Sequence, residues 1–308
     1  VVDHTAIQTL SDTLIYEIIT ATGLPRTERV HRLFSRLFRR PAERLATLGA
    51  TADHLIASDG FAKAAGWMLT NWCSQVTAGG TETIPSQGPL LVISNHAGSY
   101  DTFVIASKLG REDLKLISSD VPFLKNLPHA SEHIIFLSDA TQDRMTAARA
   151  GIRHLQDGGS LLIYGTGLVD PDPAVYPEAE KHIDNWSPSI DLFLRTVPDA
   201  QVLPTIVSGV LSEKWGHHPI TWLRRIDWQK RKLAEFAQVI QQLFFPGRLY
   251  LTPNVSFGHP ASVEKLRQES PGKQLLPAVV ARARTLLAEH CRAFQVFPGY
   301  YPDRGSDG

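Results

Sequence analysis

Leu90-Leu91-Val92-Ile93-Ser94-Asn95-His96-Ala97-Gly98-Ser99-Tyr100-Asp101 is an apolar run of strand length that stops at Asn-His, with a carboxylate five residues beyond the histidine. A continuous apolar run of this length reads as a strand buried on both faces, the kind found in parallel sheets. Its abrupt polar end holds His96 at the mouth of a sheet, on a rigid support. Asp101 and Thr102 stand where a helix begins, because Phe103, Val104, Ile105 and Leu109 continue with helical spacing. A His-Asp pair in a strand-to-helix turn has the makings of a general base with its orienting carboxylate. Spacing alone is weak: His54 and Asp59 repeat it, but no strand precedes His54, and that pair reads as a solvated helix face.

Outward from this stretch the pattern alternates. Strands are expected at Leu90–Ser94, Leu114–Ser118, His133–Leu137, Ser160–Tyr164, Val202–Val207 and Leu249–Phe257, with helical segments between them. In the clearest helix, 143–156, Met145, Ala148, Ile152 and Leu155 share one face and Gly158-Gly159 ends it. Leu275 to Phe294 reads as a closing helix, and the tail from Gly299 as frayed. Strands alternating with helices predict an α/β fold: a mixed, largely parallel sheet flanked by helices. Residues 5–75 read as helices, so residues 1–80 form an N-terminal helical extension and 81–308 the α/β domain. Thr77 to Gly88, with Gly79-Gly80, Pro85 and Gly88, reads as the linker.

In the extension, Val30, Leu33, Phe34, Leu37 and Phe38 form an apolar stripe flanked by Arg26, Arg29, Arg32, Arg36, Arg39 and Arg40, and Pro41 is expected to end that helix. A second helix, Phe61 to Val76, carries Trp67, Met68 and Trp72. Basic amphipathic helices with aromatic residues lie in membrane interfaces; the other reading is a helical pair packed on the main domain with its arginines in water. Further on, Trp222-Leu223-Arg224-Arg225-Ile226-Asp227-Trp228-Gln229-Lys230-Arg231-Lys232-Leu233 leads into an apolar helix ending at Phe244-Phe245-Pro246. Cations interleaved with tryptophan suit anionic lipid headgroups, and a solvated helix face is the alternative.

The bulk numbers exclude several classes. With 308 residues and 43% apolar content the chain can bury a large core. Lys plus Arg (31) balances Asp plus Glu (31), so no global basic field draws nucleic acid. Two cysteines give no disulfide framework and no metal-ligand spacing, which points to a reducing compartment. No apolar run is long enough to cross a bilayer. The chain begins at Val1 rather than Met, which leaves a removed leader an open question. No Gly-x-Ser-x-Gly elbow of a serine hydrolase occurs.

Three further segments end or open strands in polar or Gly-rich residues: Tyr164-Gly165-Thr166-Gly167, Ser118-Ser119-Asp120-Val121-Pro122-Phe123-Leu124-Lys125 and Val202-Leu203-Pro204-Thr205. In order and spacing the set resembles the glycerolipid acyltransferase superfamily, the lysophosphatidate and glycerol-3-phosphate acyltransferases and their relatives. That family's Asn-His-x4-Asp motif is matched by Asn95, His96 and Asp101. Its Glu-Gly-Thr-Arg strand end, after an Ala-rich helix and Gly, resembles Tyr164–Gly167 behind Ala147, Ala148, Ala150 and Gly158-Gly159. Its Val-x-Pro strand opening is similar to Val202-Leu203-Pro204, and the likeness runs from about Ile84 to Val210.

The resemblance implies acyl transfer in phospholipid biosynthesis. The donor is acyl-CoA or acyl carrier protein, and the acceptor a lipid or glycerol-derived hydroxyl. No bound cofactor or metal is implied, and the place of action is the cytoplasmic, inner face of a membrane. His96 takes the proton from the attacking hydroxyl and Asp101 holds the imidazole tautomer. Asn95, Ser99, Tyr164, Gly165, Thr166, Gly167 and Lys125 are the implied substrate-binding set. Backbone amides after His96 or around Gly165–Gly167 are expected to stabilise the oxyanion.

Three positions depart from the pattern. Tyr164 stands where the family has Glu, Gly167 where it has Arg, and Ser138 where the second motif ends near Arg. Those arginines hold the acceptor's phosphate in the family, so the acceptor is expected to differ from a plain glycerol phosphate, or to be held by Lys115, Lys125, His129, His133 or Arg144. The same losses support an alternative: a catalytically inactive lipid-binding protein on this fold. Asp170-Pro171-Asp172-Pro173 reads as an acidic surface turn or as a rim of the site.

Overall fold

The computed structural model describes residues 4–22, 27–137, 141–270, 272 and 274–296. Among them are eight strands: β1 (Thr77–Gly79), β2 (Leu90–Ser94), β3 (Leu114–Ser119), β4 (Ile134–Leu137), β5 (Ser160–Tyr164), β6 (Gln201–Ser208), β7 (Asn254–Phe257) and β8 (Ala261–Ser262). They form one mixed sheet in the order β1-β7-β6-β2-β5-β3-β4, with β8 pairing β6 off this path. The five strands from β6 to β4 run parallel, β7 and β8 lie antiparallel to β6, and β1 is parallel to β7.

β2 is the hinge of this topology. Leu90, Leu91, Val92 and Ile93 are all fully buried. Leu90 and Val92 pack with Met68, Trp72, Val104 and Ile105 on one face. Leu91 and Ile93 pack with Ile190, Phe193, Val279 and Leu287 on the other. Helices cover both faces of the central strands, which is why the run is apolar without alternation. After β2 the chain crosses β5 to reach β3, and after β5 it crosses β2 to reach β6. The connections therefore diverge around β2, and in sheets of this kind ligands bind beyond the carboxyl end of the strand at such a point.

The N-terminal helices, His4–Thr22, Glu28–Asp59 and Phe61–Leu69, precede the sheet as the apolar periodicity predicts. Pro41 does not end its helix: Glu28–Asp59 runs through it, because Ala42 and Ala46 pack against Leu10, Leu14 and Ile15 and this burial outweighs the lost backbone bond. Thr77–Gly79, expected as linker, is the edge strand β1, registered on Asn254–Ser256. The second helix stops at Leu69 rather than Val76, and β7 is limited to Asn254–Phe257. In the helix Thr141–Gln156, Met145 is exposed while Ala147 and Leu155 are buried, so the inward face is rotated from the expected one. His54 and Asp59 are exposed on their helix, as a solvated face requires. Arg26, Ser138 and the tail from Gly299 lie outside the described residues. Among the described residues, no helix is long and apolar enough to cross a membrane.

Candidate active site

The register aligns Ser94 of β2 with Tyr164 of β5 and with Thr205 of β6. His96, two residues past Ser94, therefore emerges beside the end of β5. Asn95 fixes the strand end: its Nδ2 donates to Val207 O at 2.9 Å and its Oδ1 accepts from Val207 N at 2.9 Å. Both polar groups of Asn95 are spent on β6, which makes it a staple of the turn.

His96 Nδ1 lies 2.7 Å from Asp101 Oδ2. Asp101 is fully buried at the first turn of the Asp101–Leu109 helix, where a negative charge is favoured. Asp101 also accepts from the Gly98 amide at 3.2 Å and, on Oδ1, from the Tyr164 hydroxyl at 2.5 Å. With Nδ1–H assigned to Asp101, the neutral ring keeps its lone pair on Nε2, and 27% of the side chain remains exposed. The Tyr164 ring stacks on the imidazole at a centroid distance of 4.2 Å, and its hydroxyl also meets Thr102 Oγ1 at 2.6 Å. Tyr164 thus clamps the dyad by a stack on the base and a hydrogen bond to the acid.

A second tier holds the turn. The His96 amide donates to Asp170 Oδ2 at 2.9 Å, and the Asp170 amide returns a bond to His96 O at 2.7 Å. Thr166 donates its hydroxyl to Asp170 Oδ1 at 2.8 Å. Asp172 accepts from the amides of Ala174, Gly209, Val210 and Leu211. The Asp170–Pro173 turn is therefore buried scaffolding rather than acidic surface. Burial pushes both carboxyls up to about 6, against the hydrogen bonds that hold them down.

The helix expected to end at Phe244 is present as Asp227–Phe244, but sequence reasoning missed its buried polar face, where Arg231, Glu235, Gln238 and Gln242 turn toward the site. Their 4-3-4 spacing was legible as one helical face, but a polar face reads as solvated by default. Gln242 accepts from Tyr100 OH at 2.7 Å, and Gln238 accepts from the Ser212 amide at 2.7 Å. Ser99 donates to Glu235 Oε2 at 3.0 Å, while the buried Glu235 Oε1 has no partner among the described residues. Burial pushes Glu235 up to about 8, outweighing the downward pull of His96 and Ser99. For His96 burial pulls down, but the charge and hydrogen bond of Asp101, with Glu235 and Asp170, win and raise it to about 9.

The remaining expected site residues divide. The Gly165 amide donates to Ser94 O at 2.9 Å, and a Cβ there would run into the Trp186 indole. Gly167 adopts φ +69°, and its amide donates to Tyr164 O at 3.1 Å. Of the amides in the turn after His96, that of Gly98 is held by Asp101 at 3.2 Å. Lys125 pairs with Asp120 at 2.6 Å and lies over the Phe136 ring, at the β3-β4 edge of the sheet rather than beside His96. His133 is likewise engaged, with Nδ1 on Leu114 O at 2.8 Å and its ring stacked on Phe61. Among the described residues no cluster of His, Cys, Asp and Glu is placed to hold a metal ion.

No family model matches the chain, and no curated protein matches it. Among solved structures it is similar to the crystal structure of the 1-acyl-sn-glycerophosphate acyltransferase PlsC from Thermotoga maritima, at 15% identity and a TM-score of 0.45, with 92% of this chain and 96% of that chain covered. That likeness is too distant to assign a reaction.

Proposed function

We propose that the protein transfers a fatty acyl group from a thioester, acyl-CoA or acyl carrier protein, to a hydroxyl of a lipid or glycerol-derived acceptor. The observation that carries this reading is the contact of His96 Nδ1 with a fully buried Asp101 at 2.7 Å, in a turn at the carboxyl end of a central strand. His96 Nε2 takes the acceptor's proton as the oxygen attacks the thioester carbonyl, and the imidazolium so formed is stabilised by Asp101. The tetrahedral intermediate collapses with loss of the thiol, which recovers the proton from His96. No acyl-enzyme is needed, because the acceptor hydroxyl is the nucleophile.

Tyr164 and Gly167 supply no cation for an acceptor phosphate, which supports an acceptor other than a plain glycerol phosphate. The test is transfer of radiolabelled acyl groups from acyl-CoA and from acyl carrier protein to a panel of lipid hydroxyls. His96→Ala is expected to reduce transfer by roughly 10²–10⁴-fold with the melting transition retained. Lipid binding without turnover in both wild type and His96→Ala would replace this reading with that of an inactive lipid carrier.

A further inference from the structure

Between the site and the Asp227–Phe244 helix the chain makes a loop whose residues 222–227 are all exposed. Three of them are large and apolar: Trp222 is 79% exposed, Leu223 72% and Ile226 52%. Apolar side chains in this density seldom face water without a partner. The loop is also held in shape. Pro219 opens a short 3-10 turn over Pro219–Leu223. His218 Nδ1 accepts from the Ile220 amide at 3.2 Å, and the buried Thr221 donates its hydroxyl to His218 O at 2.8 Å. The outward pose of Trp222 and Leu223 is thus built by local hydrogen bonds, so ordering them on binding costs little.

The charge around this tip is one-sided. Among residues 213–232, exposed or half-buried Lys214, Arg224, Arg225, Lys230 and Lys232 face two carboxylates, Glu213 and Asp227. Asp227 is taken up by Lys230 at 2.7 Å. Arg224 and Arg225 form no ion pair among the described residues. Apolar tips flanked by unpaired arginines complement a surface with negative headgroups over hydrocarbon.

The loop is also continuous with the site. Arg231, one turn into the following helix, donates Nε to Val169 O at 3.0 Å, and the neighbouring Asp170 binds the His96 amide. Leu168, in the same short turn, is 48% exposed.

We propose that Trp222, Leu223 and Ile226, with Arg224 and Arg225, dock the protein on an anionic phospholipid bilayer and set the His96 site against it. The inference rests on the acyl-transfer reading only for its purpose, since docking is measured without turnover.

The test is flotation of the full chain with vesicles of phosphatidylcholine alone and of phosphatidylcholine with phosphatidylglycerol. The wild type and His96→Ala are expected to float equally with the anionic vesicles, less with the neutral ones, and less again as salt rises. Arg224→Ala/Arg225→Ala is expected to weaken partitioning by roughly 30-fold at low salt, from about one basic contact each. Trp222→Ala/Leu223→Ala is expected to weaken it by at least about tenfold on both vesicles, through lost apolar burial. All five side chains are exposed, so melting temperatures should not move. On vesicle-embedded acceptors these variants lose rate, and on a water-soluble acceptor they keep it. Equal flotation of wild type and loop variants, or loss confined to Leu33→Glu/Leu37→Glu on the Glu28–Asp59 helix, overturns the proposal. Failure of transfer with every acceptor, while flotation still follows the loop, overturns the enzyme reading and leaves this one standing.

Discussion

Asp101→Asn separates charge from geometry in the dyad, and its effect on rate should depend strongly on pH. Three donors converge on Asp101: the His96 ring, the Gly98 amide and the Tyr164 hydroxyl. An asparagine can keep its oxygen toward His96 and Gly98 and turn its NH2 to Tyr164, whose oxygen accepts while its own hydrogen passes to Thr102 Oγ1, 2.6 Å away. The tautomer then survives and only the charge is lost. Without that charge His96 falls from about 9 to its ordinary 6.5 or below, since burial pulls it down. A fall of about 2.5 is worth roughly 3 kcal/mol of imidazolium stabilisation, a ceiling of about 300-fold on the high-pH plateau of kcat/KM. At pH 7 the balance changes. Only about one wild-type ring in a hundred is neutral there, against about three in four in the variant, so most of the loss is offset and roughly fourfold remains. The assay is kcat/KM for a labelled acyl thioester between about pH 6 and 10. The wild-type profile should rise through about 9 and that of the variant should level off near 6.5. A defect of the same size at both ends of the range would refute the reasoning, and one above about 10³ at pH 7 would mean the wrong tautomer had formed.

Tyr164→Phe keeps the stack on His96 and removes the hydroxyl bonded to Asp101, so kcat should fall by roughly tenfold with little change in KM; steady-state kinetics check this. Asn95→Ala strips both partners from the buried Val207 backbone and should cost about 3 kcal/mol in urea unfolding. Glu235 has a folded pKa raised from 4.5 to about 8, so the folded state keeps a proton that the unfolded chain loses, and stability declines as pH rises from 4.5 through 8. Glu235→Gln should flatten that decline, with a gain at pH 7 of at most about 3 kcal/mol, read from chemical denaturation across that range. His96, raised to about 9, has the same sign: its contribution is full below 6.5 and lost as pH rises through 9, so His96→Ala should remove that later part of the slope.

What the sequence disclosed follows from where the information is local. The central strand and its His-Asp turn were legible because burial on both faces writes an unbroken apolar run, and the turn to helix lies within five residues. Tyr164 was singled out as a substituted motif position, but its role depends on the pairing of β5 with β2, a register that composition does not carry. For Asp170 and Asp172 the sequence leaves a surface turn and a rim of the site both open, because Asp-Pro-Asp-Pro has the composition of a surface turn and only tertiary contacts reveal the amides that fill their oxygens. Pro41 failed as a helix breaker because packing overrode a local penalty.

Glu235 shows the limit most sharply. An acid 139 residues from His96 in sequence reaches the Ser99 hydroxyl, so no local pattern could join them. Yet its burial without a cation on its second oxygen is what makes the protonation of the site collective. A proton on His96 favours an ionised Glu235, and an ionised Glu235 raises His96. The state fit for base chemistry has the ring neutral, and the same number of protons is kept if that proton sits on Glu235 instead. A site of this kind titrates as a unit, and its kinetic pKa values belong to the pair rather than to either residue. Glu235→Gln should therefore move the limb of the wild-type kcat/KM profile near 9 to lower pH, while Asp101→Asn moves it further. A limb unmoved by Glu235→Gln would show that the two groups titrate independently.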